Sequence, residues 1–177
     1  MAARGFHRLL RRVVLAGLVT LVFGLFLEIN PFCAAATLVN RKAPRFIRLD
    51  LNHERVDLRA YRGKVVLLNF WATWCAPCQV EMPHFVDWQK EYASRGLQVI
   101  GISMDDDPAP VRSLSSKLLL NYHVAMGDEK LGELYGGILG LPVTYLIDST
   151  GIVRAEYRGE TDLKMMEEQL KRMLRQP

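Results

Sequence analysis

The chain has 177 residues, half of them hydrophobic, which is enough to bury one sizeable core and calls for no more than a single globular domain behind an N-terminal extension. Of its net charge of +4, three units lie in that extension, where Arg4, Arg8, Arg11 and Arg12 face only Glu28; the residues from 37 onward carry 19 basic and 18 acidic side chains. A nearly neutral body without a block of five like charges argues against a nucleic-acid-binding surface.

Residues 1–36 run basic, then apolar without a charge from Val13 to Leu27, then through Pro31 to the small residues Ala34-Ala35-Ala36. That is the order of an export signal, with cleavage after Ala36 satisfying the small-x-small preference. The apolar run of fifteen residues is shorter than the ~20 that span a bilayer comfortably, but residues 13–32 together also fit a retained membrane anchor. Cys33 adds lipoprotein processing as a third, poorly matched option, because Asn30-Pro31-Phe32 is not the small and leucine-type context of a lipidated cysteine. In each case the body of the protein, residues 37–177, is expected outside the cytoplasm, where disulfides persist.

From residue 37 to 62 apolar residues alternate through Ile47, Leu49 and Leu51, break at Asn52-His53 and resume at Val56 and Leu58, which predicts a β-hairpin. Val65 to Phe70 is a nearly continuous apolar run of strand length, as expected of a strand buried on both faces. Helical spacing of Met82, Phe85, Val86 and Tyr92 follows as far as Gly96, with Pro83 expected to kink the helix rather than end it. A second buried strand over Leu97–Ser103 completes a βαβ unit, hence a parallel pair with a right-handed crossover.

Asp105-Asp106-Asp107 reads as a solvated loop rather than a cation site, since adjacent carboxylates point in different directions. Beyond it we expect a helix over Val111–Leu120, a strand over Tyr122–Met126 and a short helix over Glu129–Tyr135. Val143–Ile147 and Ile152–Tyr157 flank Ser149-Thr150-Gly151 as a second hairpin. Thr161 is positioned to cap a last helix with Leu163, Met166, Leu170 and Leu174 on one stripe.

The chemistry centres on Cys75 and Cys78. A tetrahedral zinc site needs four ligands, yet the third cysteine, Cys33, lies in the extension and His53, His84 and His123 each stand alone in the sequence. A static disulfide closing so short a loop adds little stability. A redox couple remains. Both cysteines sit where a buried strand gives way to a helix, so the helix N-terminus favours a thiolate at Cys75, at the exposed helix start, with Pro77 suited to the first turn and Cys78 more buried and acting second.

Here the residues carry a resemblance. RGKVVLLNFWATWCAPC, Arg62 to Cys78, resembles the active-site segment of the thioredoxin superfamily; Pro83 matches that family's helix-kinking proline, and Leu141-Pro142-Val143-Thr144 resembles the loop whose proline is cis and faces the cysteines. APRFIRLDL, Asn69 and Cys78-Gln79-Val80-Glu81-Met82-Pro83 are similar to the TlpA/ResA-like branch, and the likeness covers residues 41 to 175. It implies an α/β thioredoxin-like fold, a central mixed sheet flanked by helices with an extra N-terminal hairpin. It also implies an exported or membrane-anchored thiol-disulfide oxidoreductase of the cytochrome c maturation type.

On this reading Cys75 attacks and Cys78 resolves. Glu81, three residues after Cys78 on the same helix face, stands in for the buried aspartate that ordinary thioredoxins carry where this chain has Asn69. Trp71 is expected to pack in the core, while Trp74, Pro77, Leu141 and Pro142 are the candidate substrate-facing residues. No metal or organic cofactor is called for. The implied partners are a disulfide-containing protein substrate, apocytochrome c among the candidates, and a membrane thiol-disulfide electron donor. Two alternatives stay open: a redoxin-type thiol peroxidase, for which Thr73 is a weak candidate residue, and a copper-handling protein of the same fold.

Overall fold

The computed structural model describes residues 37–175. The export signal or anchor expected over 1–36 lies outside them. Among the described residues no helix is long and apolar enough to cross a membrane.

Among the described residues, seven strands and four α-helices follow one another: β1 Ile47–Leu49, β2 Arg55–Asp57, β3 Val65–Trp71, α1 Ala76–Tyr92, β4 Leu97–Ser103, α2 Pro108–Lys117, β5 His123–Met126, α3 Glu129–Leu134, β6 Val143–Ile147, β7 Val153–Arg158 and α4 Leu163–Leu174. The main sheet has the order β5-β4-β3-β6-β7. β3 pairs parallel with β4 and antiparallel with β6, so the sheet is mixed, and the expected βαβ unit is β3-α1-β4. The fold is thioredoxin-like, with the N-terminal hairpin β1-β2 as a separate small sheet.

Every residue of β3 is buried, because the strand is central and both its faces are covered. Val66, Leu68 and Phe70 pack on one face with Phe46, Val56, Tyr135 and Tyr145. Val65 and Leu67 pack on the other with Phe85, Trp88 and Tyr92 of α1 and Met166 and Leu170 of α4. The period-two alternation thus divides the core in two, and α1 lies on the second face. Gly101 of β4 is required by closeness: a Cβ there would stand 2.9 Å from Nε1 of the fully buried Trp71.

Three expectations are corrected. Ile47 and Leu49 alternate as predicted but face outward, 44% and 59% exposed, because the hairpin packs inward through Phe46, Val56 and Leu58 instead. The last helix is capped by Asp162, whose carboxylate accepts the Lys164 and Met165 N–H groups, while the Thr161 hydroxyl donates to the Gly159 carbonyl. An ionised acceptor one residue nearer the first turn is the stronger cap. Helix α2 begins and ends earlier than expected, at Pro108 under an Asp107 cap and at Lys117, since Leu119 adopts a left-handed conformation, φ 53°. Pro83 is accommodated within α1, which continues to Tyr92.

The segment leading into the hairpin and the hairpin's own turn are tied to opposite margins of the sheet. Asn40 and Arg41 exchange backbone hydrogen bonds with Val153 of β7 at 2.8 and 2.9 Å, and the Leu51 N–H donates to the Val124 carbonyl of β5 at 2.8 Å. His123 does not stand alone in space: its Nδ1 lies 2.8 Å from Asp50 Oδ2. Asp50 Oδ1 accepts the N–H groups of Asn52 and Glu54, fixing the β1-β2 turn. Burial pushes the Asp50 carboxyl up, but the His123 hydrogen bond and those two amides outweigh it and hold the group below its ordinary value.

Candidate active site

β3 ends at Trp71 and α1 begins at Ala76, and the four residues between them carry the chain across the end of the sheet. Cys75 is the N-cap of α1, and the Cys78 N–H donates to its sulfur at 3.3 Å. That donation stabilises negative charge on Cys75 when the pair is reduced, and the helix N-terminus adds to it. Here the two cysteines are joined as a disulfide with Cα atoms 5.3 Å apart. Cys75 is 5% exposed and Cys78 1%, so the open helix start is formed by Ala76 and Pro77 rather than by Cys75 itself. The expectation of an exposed Cys75 is thus corrected: in the disulfide both cysteines are buried.

The sulfurs lie in an apolar cluster with Trp71, Ala72, Met82, Val111 and Val124, against which Leu141 also packs. Trp71 is fully buried and Trp74 is 71% exposed, beside the disulfide in sequence. The Leu141-Pro142 peptide bond is cis, and Pro142 is buried with its carbonyl accepting the Gly159 N–H. Gly136 and Gly137 permit the approach to this loop, with φ of 83° and 75°. The structure therefore brings Cys75, Cys78 and Leu141 into one cluster, with Trp74 and Pro77 at the surface next to it.

Glu81 is buried, 4% exposed, on the face of α1 that also carries Cys78, Met82 and Phe85. Neither carboxylate oxygen has a hydrogen-bond partner among the described residues. Burial pushes its pKa up to about 7; the nearby Thr161 backbone N–H opposes the rise and the Glu160 charge adds to it. A surface glutamate would show none of this. Asn69, by contrast, is buried and satisfied, donating to Thr144 Oγ1 at 2.9 Å.

Two side chains of the site escaped sequence reasoning. Asp105 is not simply a solvated loop residue: it accepts hydrogen bonds from the Thr73 N–H and the Thr73 and Ser103 hydroxyls. Gln79 donates from Nε2 to the Thr73 carbonyl at 2.7 Å. Nothing in three consecutive aspartates marks which one turns inward. Asp50, Glu54 and His123 do offer ligand atoms within 4.8 Å of one another, but Asp50 is already committed to holding its turn.

Residues 39–156 match the AhpC/TSA family. The chain belongs to it. Among curated proteins it is 32% identical over 170 residues to the thiol-disulfide oxidoreductase ResA of Bacillus cereus, covering 94% of this chain and 97% of that one. It is 34% identical over 133 residues to the thioredoxin-like protein YneN of Bacillus subtilis, 73% and 77% of the two chains. Among solved structures it aligns with a thiol:disulfide interchange protein of the thioredoxin family from Chlorobium tepidum at a TM-score of 0.70 and 30% identity, over 75% of this chain and 95% of that one. Within the AhpC/TSA family the chain is thus of the ResA-like kind, an enzyme of the thiol-disulfide oxidoreductase class.

Proposed function

We propose that the protein reduces disulfides in partner proteins outside the cytoplasm, apocytochrome c among them, with residues 1–36 acting as export signal or membrane anchor and a membrane thiol-disulfide protein resupplying electrons. The observation that carries this reading is the Cys75–Cys78 disulfide at the start of α1, set beside an exposed tryptophan and the Leu141-Pro142 loop.

The cycle starts from the dithiol. The Cys75 thiolate, favoured by the Cys78 N–H, attacks one sulfur of the substrate disulfide; a mixed disulfide forms and the other substrate sulfur leaves as a thiolate and takes up a proton. Cys78 then loses its proton and attacks Cys75. The second substrate thiol is released, and the enzyme is left as the disulfide described above. Two electrons and two protons have passed to the substrate. Glu81, one turn beyond Cys78 and poised near neutrality, is the group we assign to hold the proton that Cys78 gives up. Trp74 and Pro77 would form the receiving surface, and the backbone at Leu141 and Pro142 would align the substrate strand.

A peroxidase reading has less support, since the Thr73 hydroxyl is bonded to Asp105. Trapping separates the two. Expressed in the native host, Cys78→Ser keeps the attacking thiol and removes its escape, so covalent adducts that dithiothreitol releases should accumulate, and a Cys75→Ser control should accumulate far fewer. Mass spectrometry of the adducts names the substrate. Rapid peroxide consumption with no protein adduct would overturn the proposal, and adducts that depend on Cys78 alone would reverse the assigned roles.

A further inference from the structure

The segment between β3 and the first cysteine is held by an unexpected residue. Asp105 Oδ2 accepts the Thr73 N–H at 2.9 Å and the Ser103 hydroxyl at 2.7 Å, while Oδ1 accepts the Thr73 hydroxyl at 2.5 Å. Its own N–H donates to Ser103 Oγ at 3.2 Å. Ser103 is fully buried, the last residue of β4 and paired in register with Trp71, so the carboxylate stands on a rigid base. On the far side, the Thr73 carbonyl accepts from Gln79, the residue after Cys78. A chain of polar contacts thus runs from the end of β4 through Asp105 and Thr73 to the first turns of α1, bracketing both cysteines in sequence.

Trp74 lies between two such anchors. The Cys75 N–H donates to the Ala72 carbonyl at 3.2 Å, and Thr73 is gripped through both its backbone and its side chain. The indole is 71% exposed, so its direction is set by the backbone on either side rather than by burial. The neighbouring aspartates do other work: Asp107 caps α2 through the Ala109 N–H, and Asp106 is exposed.

We propose that Asp105 is a positioning residue for protein-disulfide recognition, fixing the Thr73-Trp74 segment so that the tryptophan is held ready beside Cys75. This rests on the reading that protein disulfides are the substrate. The contacts that serve the sulfur chemistry, Cys75 N–H to Ala72 and Cys78 N–H to Cys75 Sγ, do not pass through Asp105. Loosening the clamp therefore weakens docking of a large partner more than attack on a small, exposed disulfide.

The test is single-turnover reduction of insulin and of 5,5′-dithiobis(2-nitrobenzoic acid) by pre-reduced full-length protein, comparing wild type with Asp105→Ala, Asp105→Asn and Thr73→Ser. For Asp105→Ala the ratio of the insulin to the small-disulfide second-order rate constants should fall roughly fivefold or more, through a higher half-saturating insulin concentration rather than a lower limiting rate. Asp105→Asn keeps the size of the side chain and an acceptor for the Thr73 N–H, and should fall in between. Thr73→Ser keeps both donors and should match wild type. An unchanged ratio in Asp105→Ala, or a parallel loss on both substrates in Asp105→Ala and Asp105→Asn, overturns the positioning role. Wild-type protein that reduces the small disulfide and no protein disulfide would sink the substrate reading itself, and the positioning role with it.

Discussion

Asn69 and Thr144 face each other across the β3–β6 ladder, and the Asn69 amide donates to Thr144 Oγ1 at 2.9 Å. Both side chains are buried, so the centre of the sheet carries a neutral, satisfied pair with no proton to exchange near neutral pH. Asp50 and Glu81 are the buried carboxylates among the described residues, and Asp50 is bound to His123 and its own turn. That leaves Glu81 as the buried carboxylate on the helix that carries the cysteines, without a hydrogen-bond partner among the described residues.

Stability should report this directly. The folded protein holds the Glu81 proton up to a pKa of about 7, whereas the unfolded chain gives it up near the ordinary 4.5. Glu81 therefore contributes stability that is fully present below about pH 4.5 and lost as pH rises through about 7. At ~1.4 kcal/mol per tenfold change in proton affinity the loss is on the order of 3 kcal/mol. Urea unfolding of oxidised wild type and Glu81→Gln from pH 5 to 8.5 should show the wild type losing stability relative to the variant up to about pH 7 and running level with it above; curves parallel throughout would refute the assignment.

Thiol titration gives a second handle on the same group. A glutamate ionising close to two thiols titrates with them as one system. Iodoacetamide alkylation of the reduced protein should follow a broad, multi-step pH profile, and Glu81→Gln should sharpen it and move its midpoint to lower pH, since no carboxylate charge then opposes the thiolate. Superimposable profiles would make Glu81 a structural residue only.

Trp74 is exposed, so its removal should separate recognition from folding. Trp74→Ala is expected to change unfolding stability by no more than about 0.5 kcal/mol. Its second-order rate constant for insulin reduction should fall roughly tenfold, as for loss of an aromatic contact at the centre of an interface. Equal rates for variant and wild type would remove Trp74 from the substrate surface.

Gly101 predicts the opposite pattern. A methyl group there would meet Trp71 Nε1 at 2.9 Å and the Tyr122 ring at 3.4 Å, inside the layer beneath the cysteine cluster. Gly101→Ala should cost about 1–3 kcal/mol through overpacking, read as a lower urea midpoint, and should quench or shift the emission of the buried tryptophan. A variant as stable as wild type would show that Trp71 has room to move.

Much of this was legible in the sequence because the signals are local. The continuous apolar run of β3, the helical spacing after the cysteines and the second hairpin each follow from side-chain periodicity within a few residues. The outward turn of Ile47 and Leu49 was not legible, because alternation gives two faces and only the tertiary fold decides which one is covered. Asp50 meets His123 across 73 positions and Asp105 meets Thr73 across 32, contacts that no window of sequence contains. The cap at Asp162 rather than Thr161 turned on a single residue, below the resolution of any pattern. Glu81 was found by its spacing from Cys78, whereas its burial depends on α1 meeting the turn before α4.

The strap formed by residues 40–51 has a consequence for association. β7 and β5 are the outer strands of the main sheet, and each has part of its free ladder taken up by this strap, at Val153 and at Val124. Open strand edges invite pairing with other chains, and covering them removes that route. Any chain that approaches in extended form is thus denied a template for strand addition at those two places. Under the function proposed above, this arrangement would let the protein handle disulfide-containing chains without offering them a sheet edge to join at those two places.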